Sequence, residues 1–255
     1  MELDLRGRVV IVTGAARGIG AKIAERFAAE GARVFAFDLA FPPPGESPQE
    51  PRIEPVICNV ADPQSVSSAV DHIASRHGRI DVLVNNAGIN ALGDVADLEW
   101  EKWRTCFDVN VGGVFLMSQA VAEHMKRAGS GRILNAASFA AIIPSISSAA
   151  YAASKSAVVA LTRVHASELG PFDITVNAYA PGMVPTAMNG FADMPQEVQD
   201  RLLDTLSLRR WETADDVADL LIFLASDRAA YITGTLHDVS GGKLATQIPA
   251  IAHRR

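Results

Sequence analysis

Tyr151 and Lys155 stand four residues apart in Tyr-Ala-Ala-Ser-Lys, and Ser138 precedes the tyrosine by thirteen. Four residues is about one helical turn, so on a helix the phenol and the ammonium share a face. A phenol with its ordinary pKa of about 10 is a poor base at neutral pH, and a fixed cation beside it favours the anionic form. The pair is therefore a proton-transfer group suited to an alcohol or a ketone. Alone, the same spacing also fits an ordinary surface pair on a helix. What precedes it in the chain decides between the two.

The apolar run Val9–Val12 leads into Thr13-Gly14-Ala15-Ala16-Arg17-Gly18-Ile19-Gly20, where a helical pattern begins. Glycines in such a turn let backbone approach a pyrophosphate, and the helix N-terminus offers free N–H groups with partial positive charge. Gly14, Gly18 and Gly20 are candidates to cradle a dinucleotide, with Arg17 and Ile19 in the same loop. The second apolar run ends in Asp38, about twenty residues beyond the glycines, where a carboxylate accepts from both adenosine ribose hydroxyls and repels a 2′-phosphate. Leu39 follows, so no cation is offered to such a phosphate there. Arg17 is a counter-signal, although it can equally brace the pyrophosphate or point to solvent. The balance favours NAD over NADP.

These groups need a scaffold, and the rest of the chain supplies one. Seven short apolar runs read as strands: Val9–Val12, Arg33–Phe37, Pro55–Cys58, Val82–Val84, Arg132–Asn135, Ile174–Ala178 and Thr235–Val239. Most are continuous rather than alternating, as expected for strands covered on both faces. Helical patterns lie between them. Ile19, Ile23 and Phe27 form one stripe; Val66, Val70 and Ile73 form another behind Asp62-Pro63, an N-cap followed by proline. Such alternation predicts an α/β fold with a doubly wound parallel sheet. The stretch from Phe41-Pro-Pro-Pro-Gly45 to Pro51 is the exception, since adjacent prolines forbid a helix.

Composition narrows the class. At 255 residues and 49% hydrophobic, the chain suits one large α/β domain over residues 1–255. A net charge of −6 without a basic stripe argues against nucleic acid and against an anionic membrane surface. The two cysteines, Cys58 and Cys106, have no metal-ligand spacing and suit a reducing compartment. Nor do the histidines, so no residue is assigned to a metal. The acidic start lacks a signal-peptide core and no apolar run reaches membrane length, so a cytoplasmic protein is expected.

With these motifs in order, the chain resembles the short-chain dehydrogenase/reductase family along nearly its whole length. The resemblance rests on the glycine loop, on Asp81-Val-Leu-Val-Asn-Asn-Ala-Gly88, on Asn110-Val-Gly-Gly-Val-Phe115, on Ser138 with Tyr151 and Lys155, and on Pro181-Gly182 with Thr186. It implies a single-domain Rossmann fold with a seven-stranded parallel sheet and helices on both faces. It implies Tyr151 as acid–base and as a cofactor contact, Lys155 bonding the nicotinamide ribose, Ser138 holding the substrate oxygen, and Asn110 placing a water that links Lys155 to solvent. Asn59 and Val60 are expected at the adenine, Asn86 at the adenosine ribose through its backbone, and Val184 and Thr186 at the carboxamide. A homotetramer is the family expectation. Two departures stand out: the proline-rich loop, and Asp238-Val-Ser-Gly-Gly242 where relatives often read Val-Asp-Gly-Gly.

The substrate is less legible. Asn90–Leu92, Phe139–Ile143 and a mobile lid at about 183–211, with Met183, Met188, Phe191 and Met194, are expected to frame its pocket. Only Arg209 or Arg210 offers a cation to a carboxylate, so a neutral secondary alcohol, polyol or sugar is expected rather than a small acid. The rival is a 3-oxoacyl-(acyl-carrier-protein) reductase using NADPH, which Asp38 opposes. A non-catalytic NAD-binding scaffold is more remote, because none of the four catalytic positions is eroded.

Overall fold

The computed structural model describes residues 3–42, 52–186 and 189–254. Residues 43–51 of the proline-rich loop and Met188 of the expected pocket lie outside them.

Seven parallel strands form one sheet: β1 (Val9–Thr13), β2 (Arg33–Asp38), β3 (Ile53–Ile57), β4 (Val82–Asn85), β5 (Gly131–Ala136), β6 (Ile174–Pro181) and β7 (Leu236–Val239). Their spatial order is β3-β2-β1-β4-β5-β6-β7, so the chain winds outward to β3 and returns to the centre at β4. Every residue of β1, β4 and β5 is buried, which is why Val9–Val12 and Val82–Val84 are continuously apolar; β5 also buries Arg132 and Asn135, the latter accepting from Asn85 Nδ2 at 2.9 Å. The edge strands β3 and β7 are only half-buried. Pro55 sits in β3, at an edge, where its missing N–H costs no ladder bond to a further strand.

Helices cover both faces. On one, α1 (Gly18–Ala29) and α7 (Ala214–Ala225) bring Ile23, Phe27, Val217 and Leu221 against Val10, Val12 and Val34. On the other, α2 (Pro63–His77), α4 (Gly113–Ala128) and α5 (Ala149–Leu169) bring Val66, Val70, Ile73, Met117, Val121 and Leu169 against Ile11, Leu83 and Ile133. Each fully buried aliphatic side chain contributes roughly 1.5–3 kcal/mol. Asp62 caps α2 by accepting the Gln64 N–H at 3.0 Å. Thr213 and Asp216 close a reciprocal capping box on α7. Two shorter helices remain, α3 (Trp100–Phe107) and α6 (Gln196–Leu203).

The sheet places the chemistry at its carboxyl edge. The loops after β1, β2, β4, β5 and β6 all open there, at the switch point between β1 and β4 where such folds bind ligands. Among the described residues no helix is long and apolar enough to cross a membrane.

Candidate active site

Ser138 follows β5 directly, and its Oγ accepts the Ala140 N–H at 3.1 Å in a short 3-10 turn over Phe139–Ala141. Tyr151 and Lys155 occupy the first two turns of α5, as the four-residue spacing requires. The Lys155 side chain is buried. Its Nζ donates to the Ala136 carbonyl at 2.7 Å, at the end of β5, and lies 5.7 Å from the Tyr151 ring centroid. Burial pulls the Lys155 ammonium down to about 8. Burial pushes the Tyr151 phenol above its ordinary value, while a hydrogen bond from Ser138 works the other way. In the protein by itself, desolvation therefore outweighs the lowering of the phenol that the adjacent cation was expected to produce.

Asn110 lies in a π-helical turn, Asp108–Gly112, between α3 and α4. Such wide turns recur at functional sites because they re-aim one side chain out of the helical ladder. Asn110 Nδ2 donates to the Ile89 carbonyl and to Ser154 Oγ, both at 3.0 Å, while Oδ1 accepts the Ile89 N–H at 2.8 Å. A Cβ on Gly88 would lie 3.2 Å from Asn110 Oδ1 and 3.3 Å from Lys155 Nζ, so the two groups face one another across this glycine. Gly88→Ala is accordingly expected to lower turnover by about a hundredfold through displacement of Lys155, with circular dichroism unchanged. Steady-state kinetics on the purified variant checks it. Cys106 is buried and its thiol is pushed up by that burial, which suits packing rather than nucleophilic attack.

The glycine loop is built by close contacts. Gly14 takes a φ of +65° and Gly20 packs so tightly that a Cβ would sit 2.1 Å from the Gly14 carbonyl oxygen. Gly18 also has positive φ, but its open side meets no atom within 4 Å. The first turn of α1 carries no acidic residue, and its N-cap, Arg17, makes no side-chain cap bond. Those N–H groups are left to an anion. Ile19 is half-buried against the core beneath the loop. Asp38 closes the cradle: its Oδ2 accepts the Ala16 N–H at 3.0 Å and its Oδ1 accepts the Leu39 N–H at 2.8 Å. A narrow glycine cradle, an uncapped helix start and a carboxylate at the end of β2 together fit a dinucleotide.

The remaining expected contacts are distributed unevenly. Asn86 is a brace: its Nδ2 donates to the Thr13 and Gly14 carbonyls at 3.0 and 3.2 Å, and its backbone N–H goes to Thr13 Oγ1. A ribose contact would have to use its carbonyl. Asn59 is exposed, with Oδ1 accepting the Ala61 N–H at 3.0 Å. Val60 packs inward beneath Gly113. The Val184 carbonyl and the Thr186 N–H are both engaged by the Asn189 side chain, at 2.7 and 3.1 Å. A cofactor carboxamide would have to share or displace that primary amide.

Three neighbours were not singled out in the sequence. Asn189 is one; its signal was an amide five residues past Val184. Glu212 is buried beside Gly182, whose N–H donates to its Oε2 at 2.6 Å. Lys243 places its ammonium 5.1 Å over the Phe139 ring, next to Ser138, with no carboxylate partner among the described residues. Arg209 and Arg210, by contrast, are paired with Asp204 and Asp216. Leu92, Ile142 and Ile143 are exposed, which gives the mouth of the site an apolar rim. Among the described residues no cluster of His, Cys, Asp or Glu is arranged to hold a metal ion.

Residues 14–243 match the family model described as enoyl-(acyl carrier protein) reductase. The chain is 39% identical over 249 residues to a D-threitol dehydrogenase of Mycolicibacterium smegmatis, covering 94% of each protein. It is 35% identical over 245 residues to the 3-oxoacyl-(acyl-carrier-protein) reductase FabG of Thermotoga maritima, covering 94% of this chain and 99% of that protein. A solved structure from Beutenbergia cavernae, described as a candidate NAD(P) dependent gluconate 5-dehydrogenase with bound NADP at low occupancy, superposes with a TM-score of 0.87. It is 34% identical, and the match covers 96% of this chain and 100% of that one.

Proposed function

Because the chain belongs to the short-chain dehydrogenase/reductase family, we propose that it is an NAD-dependent oxidoreductase interconverting a secondary alcohol and its ketone, with a neutral alcohol, polyol or sugar as substrate. The observation that carries the reaction is the convergence of Ser138, Tyr151 and Lys155 at the end of β5, beside the glycine cradle. In this reading Tyr151 takes the alcohol proton during oxidation and returns one during reduction. Ser138 holds the substrate oxygen and stabilises its developing charge. Lys155, tethered to Ala136, bonds the nicotinamide ribose, and Asn110 across Gly88 seats a water for proton passage to solvent. The nicotinamide supplies the hydride chemistry when bound.

Gly14, Arg17, Gly18, Ile19, Gly20 and Asp38 would hold the pyrophosphate and ribose end, Asn59, Val60 and Asn86 the adenosine side, and Val184 with Thr186 the carboxamide. The preference for NAD rests on Asp38, held at the cradle by Ala16. Asp38→Ser is expected to reduce the ratio of kcat/KM for NAD over NADP by about 10- to 100-fold, the worth of hydrogen bonds to a charged group. An unchanged ratio rejects the assignment.

The segment 183–211 serves as the lid of this one-domain enzyme; the Phe191–Trp211 ring stack, with centroids 5.5 Å apart, ties its early part to its end. Pairing of Arg209 and Arg210 with acids supports a neutral substrate, while Lys243 is the group that would meet an anionic substituent, so sugar acids belong in any panel. Exposed Phe115 on α4 and Val164 on α5 support a homotetramer formed through those helices. A mass in solution near four times 27.1 kDa is expected from light scattering.

A further inference from the structure

Glu212 is a carboxylic acid in a place where little favours its charge. Its side chain is more than nine-tenths buried, and Oε1 has no hydrogen-bond partner among the described residues. Oε2 accepts the Gly182 N–H at 2.6 Å, and the Glu212 N–H donates to the Met183 carbonyl at 3.2 Å. These two bonds join the residues on either side of the 183–211 segment. Space at Gly182 is tight, since a Cβ there would lie 2.8 Å from Ser240 Cα and Cβ and 3.2 Å from Glu212 Oε2. A cleft of about 200 Å³, lined by Met183, Leu206, Leu208 and Gly241, opens beside the carboxyl.

We propose that Glu212 is a positioning residue, a latch that fastens the two ends of the active-site lid and holds Gly182–Thr186 in place against the cofactor. This rests on the reading of 183–211 as the lid and of Val184 and Thr186 as cofactor contacts.

The charges around the latch make it sensitive to pH. Asp216 on α7 and Asp238 on β7 face Glu212, and Arg210, the nearby cation, is engaged by Asp216 in two hydrogen bonds. Burial, the larger cause, pushes the Glu212 carboxyl up to about 8, and the Gly182 hydrogen bond offsets only part of that. At neutral pH the acid is therefore protonated and the latch is closed. As pH rises through about 8 the carboxylate gains nothing from its unpartnered oxygen and two neighbouring acids repel it, so it leaves Gly182 for water in the adjoining cleft. The fraction of closed protein then falls, and apparent cofactor affinity falls with it by about tenfold from pH 7 to 9.

The test compares wild type, Glu212→Gln and Glu212→Ala at pH 7 and pH 9. Trypsin cleavage at Arg201, Arg209 and Arg210 without cofactor reads the lid, and titration of tryptophan fluorescence with NADH, or NADPH if NADH does not bind, reads the loop. Glutamine keeps the acceptor for Gly182 without a charge, so Glu212→Gln should match wild type at pH 7 and lose the tenfold change by pH 9. Glu212→Ala should be cleaved severalfold faster at both. A glutamine variant that keeps the wild-type pH dependence, or an alanine variant cleaved at the wild-type rate, overturns the latch. If the alanine variant does not fold, the glutamine comparison still decides. Failure of wild type to bind either dinucleotide would defeat the cofactor reading instead, and the cleavage comparison with Glu212→Gln would judge the latch independently.

Discussion

Tyr151→Phe is expected to lower turnover by about 10³-fold or more, the upper range for loss of a positioned acid–base group, while NAD still binds, because the ring stays and the rest of the cradle is untouched. Phenylalanine keeps the ring that packs near Lys155 and removes only the hydroxyl aligned with Ser138. The phenol must be ionised to take a proton from the alcohol. Burial raises its pKa in the protein alone, so the oxidation rate should climb with pH through the alkaline range, and the climb should vanish in the variant's residual activity. Stopped-flow turnover and equilibrium NAD binding separate the two effects. Wild-type rate in Tyr151→Phe would remove the hydroxyl from the mechanism.

Gly20→Ala carries the second large effect. The new Cβ would meet the Gly14 carbonyl oxygen at 2.1 Å, Asn86 Nδ2 at 2.5 Å and the Gly14 carbonyl carbon at 2.8 Å. Two of these are backbone atoms of the cradle, and Asn86 is fixed by its own bonds to Thr13 and Gly14. Relief requires the loop to shift away from α1, so cofactor affinity should fall by about a hundredfold or more and stability by roughly 1–3 kcal/mol, the usual cost of overpacking. Gly18→Ala is the control. Nothing lies within 4 Å of that Cβ, so only the positive φ is strained, at about 1–2 kcal/mol. Calorimetric binding and thermal denaturation of both variants give the comparison. Equal losses in the two would mean that the close approach at Gly20 does not shape the cradle.

Much of the architecture was legible because it follows from local rules. Strands buried on both faces are largely apolar, and Val9–Val12 and Val82–Val84 fall in the central sheet, as does Arg132–Asn135 despite its buried Arg132 and Asn135. The ends were less visible: β6 runs to Pro181 because Pro181 registers with Val239 of β7, a pairing that no local pattern announces. The shared face of Tyr151 and Lys155 follows from helical spacing alone. Their protonation does not, because burial of α5 against the sheet is a tertiary fact and it set the direction of both shifts. Asn110 could be marked as chemistry, yet its π-helical turn and its closeness to Lys155 across Gly88 emerge only when β4, α3 and α5 converge. Glu212 was illegible for the same reason: in Trp-Glu-Thr it reads as a solvated glutamate, and its partner Gly182 lies thirty residues earlier.

The central claim is tested most directly by measuring kcat/KM for NADH formation with NAD, and in parallel with NADP, over a panel of secondary alcohols, polyols, sugars and sugar acids. The expected result is turnover with NAD on one of the neutral classes, at least tenfold above that with NADP, as the Asp38 carboxylate requires. Absence of any NAD-linked oxidation, with reduction of a 3-oxoacyl thioester by NADPH, would contradict it. So would dinucleotide binding without turnover on any member of the panel.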